Sequence, residues 1–333
     1  MIPPETVTTL WRKKFREAKA TIPGEYCTIV SLATPDGGVA GVRTEVNRYV
    51  AARMIAKGEA LLGIDSMTPR DILRMVAVDA LDSIISQLTI GNLVNRDFQP
   101  LLAQVGDVVD VPVGTDDGLG NVQIVLDSHI EATFAVTDIH KALTIPGILR
   151  TYMEPAAIAI AEAIESQLLN LYAGFTANAP LGTAGTPATE VIISQAVIDT
   201  RIPLGEPRFL MVSGATFTDI SRMPNLDTSN NDHGAAGRIS NFFLFRSQYV
   251  PKTGIDTVST HNLAFADGAI GMVIRRLPMP IPGTGVIAEY AECGDFGIRV
   301  IMDDSQRAER KLTIDILYGC GILRNDHGVQ VTT

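Results

Sequence analysis

Cysteine is scarce in this chain: Cys27, Cys293 and Cys320 are the only three in 333 residues, far apart and odd in number. That pattern excludes a disulfide framework and a thiolate metal cluster, so idle thiols in reducing surroundings are expected. Histidine is nearly as scarce. The five (129, 140, 233, 261 and 327) stand at no metal-ligand spacing. No apolar run reaches the ~18 residues a membrane span needs, so no membrane partner is expected. The opening MIPPETVTTLWRKKF has no apolar core behind a charged start and does not read as a secretory signal. Basic residues are outnumbered 27 to 37, a net charge of −10, which argues against general affinity for nucleic-acid phosphates while allowing a local basic patch.

Catalytic motifs are missing too. Val212-Ser213-Gly214 lacks the first glycine of a nucleophile elbow. Gly118-Leu119-Gly120 and Gly283-Thr284-Gly285 are turn glycines rather than phosphate cradles. The carboxylate pairs Asp116/Asp117 and Asp303/Asp304 sit at turn signals, where Asp bonds its own backbone. The stretch Asp227–Gly234 has the look of a calcium loop, but Arg238 stands where a bidentate Glu is required. No nucleophile, base and oxyanion donor converge. The expectation is a non-enzyme with no catalytic residue, no cofactor and no metal.

What is present is apolar and periodic, with 46% hydrophobic residues, the composition of a folded chain. Leu149–Gly174 organises it. Leu149, Met153, Ala156, Ile160, Ile164, Leu168 and Leu171 recur at helical spacing, with Arg150, Glu154, Glu162 and Glu165 largely off that stripe. Pro155 leaves two readings open: the helix starts there, or an earlier turn is kinked there. Gly174 suits the stop. Taken alone, such a helix is ordinarily the core helix of an enzyme.

The surroundings argue otherwise. Residues 5–20 form a short basic amphipathic pattern carrying Arg12, Lys13, Lys14, Arg16 and Lys19. This is either a solvated face or a contact with an acidic neighbour or nucleic acid. Tyr26–Ala33 and Val39–Val46 flank Thr34-Pro35-Asp36-Gly37-Gly38, which reads as a β-hairpin. Arg48–Leu62 reads as a helix. So does the stretch after Thr68-Pro69, with Thr68 as cap and a stripe of Ile72, Met75, Val76, Asp79, Ala80, Ser83, Ile84 and Gln87. Strand patterns within 104–143 form a long two-stranded excursion with too little apolar surface to fold on itself, expected as an arm on another subunit. Beyond the long helix come a helix at Thr189–Thr200, a buried strand at Arg208–Val212 and a short helix at Ser213–Met223. A polar loop at Asn225–Gly237 follows. The final third is β-rich: Ala269–Arg275, Val286–Glu292, Ile298–Met302 and Lys311–Tyr318. Pro278, Pro280 and Pro282 favour an extended linker.

Three stretches carry a family resemblance: QLTIGNLVNRDF (87–98) with QVGDVVDVPVG (104–114), YMEPAAIAIAEAIESQLLNLYAG (152–174), and HNLAFADGAIGMVIRRLPMPIPGTG (261–285) continuing to GIRVIMDDSQRAERKLTIDILYGCGILRNDHGV (297–329). In order and spacing they resemble the major capsid proteins of tailed bacteriophages, in the branch of short-tailed phage coat proteins, over about residues 68–333. The resemblance implies an α+β Hong Kong 97-type fold. It lays out an N-terminal extension at 1–65, an arm helix at 66–103 and an extended β-loop at 104–143. A peripheral-domain spine helix would follow at 144–187, an axial domain at 188–265, and a β-rich segment at 266–333 completing both domains.

It further implies a self-assembling structural protein of the virion, made in the host cytoplasm. Pentamers and hexamers would form an icosahedral shell around double-stranded DNA without sequence-specific binding. Scaffold, portal and cement proteins are the further partners. Residues 1–65 precede the stretch that carries the resemblance, and there Arg12, Lys13, Lys14, Arg16 and Lys19 are expected as contacts to neighbouring subunits, scaffold or genome. An encapsulin-like nanocompartment shell and a soluble hydrolase or lyase are the alternatives.

Overall fold

The computed structural model describes residues 26–31, 43–47, 60–62, 69–96, 105–115, 118–136, 146–200, 202, 205–229, 234–254, 258–281, 285–303 and 310–333. The basic segment at 5–20, the turn at 34–38, most of the helix expected at 48–62, and Thr68 lie outside these residues.

Near the start, β1 (Tyr26–Ser31) pairs antiparallel with β2 (Arg43–Asn47), as the turn-flanked pattern predicts. The other edge of β1 takes β3 (Ala60–Leu62). The end expected for the 48–62 helix is therefore a strand, because Ala60–Leu62 finds its backbone partners in Ile29–Ser31.

Helix α1 (Pro69–Gln87) follows, then a 3₁₀ turn, Ile90–Asn92. The buried stripe of α1 is Leu73, Val76, Ala77, Ala80, Leu81 and Ile84, continued by Leu88 just past its end. It is rotated from the predicted one: Asp79 and Gln87 face solvent.

Strands β4 (Val108–Thr115) and β5 (Gly118–Val125) form a hairpin. The third strand of the expected ribbon, β6 (Ser128–Val136), departs from it. It joins a sheet with strands from the last quarter of the chain: β13 (Ile270–Arg275), β14 (Val286–Cys293), β15 (Phe296–Asp303) and β16 (Arg310–Ile322). The thirteen-residue β16 is the axis of this sheet. One edge pairs with β6, Arg310↔Val136 to Tyr318↔Ser128. The other edge pairs first with β15 and then with β13. Ile130, Ala132 and Phe134 of β6, with Leu312, Ile314, Ile316 and Tyr318 of β16, alternate onto one face. On that face lie α1 and helix α2 (Pro146–Asn170).

The other face of the sheet is partly covered by the hairpin. Val111, Val113, Ile124 and Leu126 pack on Val273, Leu277, Leu317 and Leu323. The apolar side of the hairpin thus has a cover within its own chain, which corrects the expectation that it lies wholly on another subunit. Gly319 permits this approach, since a Cβ there would meet the Val125 carbonyl oxygen at 2.2 Å.

Helix α2 runs through Pro155, so the helix has earlier turns and does not start there. Its 25 residues reach roughly 37 Å at ~1.5 Å per residue. A 3₁₀ turn, Leu171–Gly174, ends it. Met153, Ala157, Ile160, Ala161, Ile164, Leu168 and Leu169 are buried.

The second sheet runs in the order β7 (Leu181–Gly182), β17 (Gly328–Thr332), β12 (Ser259–Ala266), β8 (Arg208–Val212), β10 (Phe242–Arg246) and β9 (Gly237–Ile239), with β11 (Lys252–Thr253) beside β12. Helix α3 (Glu190–Asp199), capped by the Thr189 hydroxyl, and α4 (Gly214–Ile220), capped by Ser213, close one face. Their apolar residues meet Leu210, Val212, Leu244, Ala264, Val329 and Val331. The opposite face, with Phe209, Met211, Phe243, Leu263 and Phe265, belongs to the same continuous core as α1, α2 and the first sheet.

The Gly319 approach gives a stability test. Gly319→Ala should lower the unfolding free energy of the unassembled chain by about 1–3 kcal/mol in urea titrations, because the hairpin must move off β16. Gly205→Ala, with nothing within 4 Å of the added Cβ, should stay within about 0.5 kcal/mol.

Candidate functional site

The polar side chains that tie the two sheets together converge on α2. Glu162, Glu165 and Gln167 lie within two turns of that helix, and each reaches a different part of the fold.

Glu165 turns inward. Sequence periodicity sets it on the solvent side, yet it is 1% exposed. Its Oε1 accepts hydrogen bonds from the Thr89 amide at 2.6 Å and the Gly91 amide at 3.1 Å. These amides sit at the start of the 3₁₀ turn after α1, where free N–H groups make a natural anion cradle. Gly91 allows close packing: a Cβ there would meet Leu88 side-chain atoms at 3.1 Å. Burial pushes the Glu165 carboxyl above its ordinary 4.5, against the backbone amides, which pull it down.

Glu162 is exposed and reaches the second sheet. The Tyr249 hydroxyl donates to its Oε1 at 2.6 Å, and Gln248 Nε2 donates to the same hydroxyl at 2.6 Å. Burial, followed by the Glu162 carboxylate, raises the Tyr249 phenol. Between α2 and residues 246–249 lies a groove of about 220 Å³ lined by Thr89, Glu162, Glu165, Arg246 and Tyr249 among others. Glu154, the third acid set on the outer side, is exposed.

Gln167 reaches the first sheet. Its Nε2 donates to Ser128 Oγ at 2.7 Å, and the Tyr318 hydroxyl donates to its Oε1 at 2.5 Å. Burial raises the Tyr318 phenol and pushes the Cys320 thiol up to about 12, leaving that thiol unreactive at neutral pH.

A second polar centre crosses the outer face of the first sheet. Arg299 forms a two-pronged ion pair with Asp315, and His129 Nε2 lies 3.3 Å from the same carboxylate. Asp315 is thereby partnered from both neighbouring strands.

In the second sheet, His261 stacks on Tyr172 with ring centroids 4.5 Å apart. Its ring nitrogens contact Thr253 Oγ1 and Gln330 Nε2, each at 2.7 Å. Asn262 accepts from the Ser213 amide and donates to the Val331 carbonyl. These are fastening contacts.

Among the described residues no group of three or more His, Cys, Asp or Glu is arranged to hold a metal. Asp227, first residue of the calcium-like stretch, accepts from the Ser229 amide and hydroxyl. Arg12, Lys13, Lys14, Arg16 and Lys19 lie outside the described residues. Sequence reasoning found α2 but missed the inward role of Glu165. The signal available was its i, i+3, i+4 relation to Ala161, Leu168 and Leu169, which lie on the buried side.

A family model described as phage capsid protein matches residues 126–328, more than half the chain. No curated protein matches by sequence. Among solved structures, the capsid of Ralstonia phage GP4 superposes with a TM-score of 0.51 at 11% identity, over 73% of this chain and 89% of that one. Mycobacterium phage Che8 gives 0.47 at 17% identity, over 73% and 90%. The SrpI encapsulin complex of Synechococcus elongatus PCC 7942 gives 0.48 at 15%, over 81% and 89%. At 11% identity the likeness to the GP4 capsid speaks to the fold, an α+β arrangement of Hong Kong 97 type.

The Glu165 cradle predicts two outcomes. Glu165→Ala leaves the Thr89 and Gly91 amides buried and unpaired, and should cost at least about 2 kcal/mol in urea unfolding. With its carboxyl raised in the folded state, Glu165 contributes most below 4.5, and that contribution declines as pH rises through the raised value. The stability of wild type relative to Glu165→Gln should therefore fall as pH rises above 4.5; a difference constant with pH would contradict the assignment.

Proposed function

The chain belongs to the phage capsid protein family and is a major capsid protein, a structural component of the virion; from that premise we propose that its copies close as pentamers and hexamers into an icosahedral shell around double-stranded DNA. The observation carrying this reading is the family match over 126–328, which spans α2, the last strand of the ribbon region and nearly all of both sheets. Assembly of many copies follows from membership in the family. Pentamers and hexamers, assembly in the host cytoplasm, DNA enclosure, and scaffold, portal and cement partners are the finer parts of the proposal. So is the short-tailed branch, supported by the ordered motifs at 87–98, 152–174 and 261–329.

We assign a clamping role to the N-terminal extension at 1–65 on two grounds. A three-stranded sheet as small as β2-β1-β3 buries little apolar surface by itself. The segment also carries Arg12, Lys13, Lys14, Arg16 and Lys19, opposite in sign to a chain of net charge −10. These cations serve as contacts to neighbouring copies, scaffold or genome. The extended-loop role falls to the β4–β5 hairpin, whose apolar side rests on its own sheet while, among the described residues, neither outer strand edge is paired.

Electron microscopy and light scattering of the purified protein test the proposal. Closed megadalton particles are expected, and a small discrete oligomer would overturn it. DNA-packaging partners copurifying with the particles support the phage reading, whereas an enzyme cargo would point to a nanocompartment shell. Deleting residues 1–60 should sharply reduce particle yield; unchanged, equally stable shells would remove the clamping role.

A further inference from the structure

The chain passes from the first sheet to the second through residues 323–327, between β16 and β17. Polar contacts fasten this link to its surroundings. The Leu323 and Arg324 amides donate to the Ala269 carbonyl, on the turn after β12, at 2.8 and 3.2 Å. Asn325 Oδ1 accepts from the Thr176 and Ala177 amides at 2.8 and 3.2 Å. Asn178 Nδ2 donates to the Asp326 and Gly328 carbonyls at 3.1 and 3.0 Å. The link is therefore tied to the end of α2 and to both flanks of the second sheet.

His327 ends the link, 4% exposed and only half satisfied. Arg324 Nη1 lies 3.4 Å from its Nε2. A guanidinium only donates, so Nε2 accepts and the ring proton sits on Nδ1. That nitrogen is buried without a hydrogen-bond partner, and so is Glu206 Oε2, 3.9 Å away on the loop ahead of β8. The gap is too long for a hydrogen bond yet short enough for an ion pair. Asp326 Oδ2 stands 3.9 Å from Nε2. The ring is thus placed between one guanidinium and two carboxylates, which are the charges acting on it. The loop after α2 brings Phe175, Thr176, Ala177 and Asn178, none of them charged, and Asp267 on the turn before Ala269 is exposed. A neutral ring can accept from Arg324. A protonated ring has a donor at both nitrogens, so it gives up Arg324 and faces Glu206 and Asp326 instead.

We propose that His327 is a proton-operated switch in the link between the two sheets: neutral, it holds Arg324; charged, it releases Arg324, turns to Glu206 and Asp326, and loosens the link. Burial is the largest influence on the ring and holds its protonation below the ordinary 6.5, with Asp326 and Glu206 favouring the charged form and Arg324 opposing it. The neutral arrangement therefore contributes fully above 6.5, and its contribution is lost as pH falls through the lowered value. Loosening belongs to the acid side.

The test is amide hydrogen exchange of the purified full chain, read by mass spectrometry on peptides covering 175–178 and 322–328 and corrected for the chemical exchange rate at each pH. Exchange there should quicken several-fold as pH is lowered from about 7.5 to about 5. His327→Gln, whose side chain does not titrate, should lose that response. Glu206→Gln removes a carboxylate that favours the charged ring and should move the midpoint to lower pH. Arg324→Gln removes the opposing cation and should move it to higher pH. If His327→Gln does not fold, this pair of opposite displacements decides. His261→Gln, at a second buried histidine, should leave the response in place. Exchange that does not change with pH, a response that survives His327→Gln or disappears in His261→Gln, or midpoints that fail to move apart in the two charge variants overturns the switch.

Discussion

The fold depends on enclosing one helix. Helix α2 meets α1 and the 3₁₀ turn on one side, β6 and β16 on another, and the turn after β10 toward its middle. A side chain at Ile160, Ile164 or Leu168 therefore belongs to a core that both sheets share. Because that core is continuous, the two sheets cannot be treated as beads on a string. Removing bulk from α2 loosens both at once, at the ~2–5 kcal/mol typical of a large-to-small change in a packed interior.

Apolar packing alone would let such a helix slide or rotate. Specificity comes from three side chains with three directions. Glu165 fixes it to the turn after α1, Gln167 to Ser128 and Tyr318, and Glu162 to Tyr249. The three differ in exposure, and so in strength and pliability. The buried carboxylate bond is expensive to break and sets register. The exposed Tyr249–Glu162 bond competes with water and can be given up at small cost.

Much of this was legible in the sequence because it follows from period. The alternation of Leu312, Ile314, Ile316 and Tyr318, the i, i+3, i+4 spacing of α2, and the helices expected at Thr189–Thr200 and Ser213–Met223 are local signals, and each has its expected place. What was not legible depended on partners far along the chain. Ala60–Leu62 reads as helix until Ile29–Ser31 is beside it. The α1 stripe is rotated because the sheet strands under that helix select Leu73 and Ala77 over Asp79. Glu165 reads as a surface acid until the amides of residues 89–91 arrive, 74 to 76 positions earlier. The β4–β5 hairpin reads as a free arm because the glycine that admits it, Gly319, lies about 200 residues downstream. The basic residues at 12–19 carry the clearest charge signal in the chain, yet charge alone does not say what they meet.

The order of strands has a consequence for biosynthesis. The first sheet has no axis until β16 is present, and the second is completed by β17, the next strand; only residues 323–327 separate them. During translation every other strand emerges before its sheet can close. A chain that ends before β16 lacks the strand that β6, β13 and β15 pair with and has no β17 between β7 and β12, while α2 keeps α1 and the 3₁₀ turn beside it. Closure of both sheets therefore waits on one stretch, residues 310–332, rather than proceeding sheet by sheet as the chain is made.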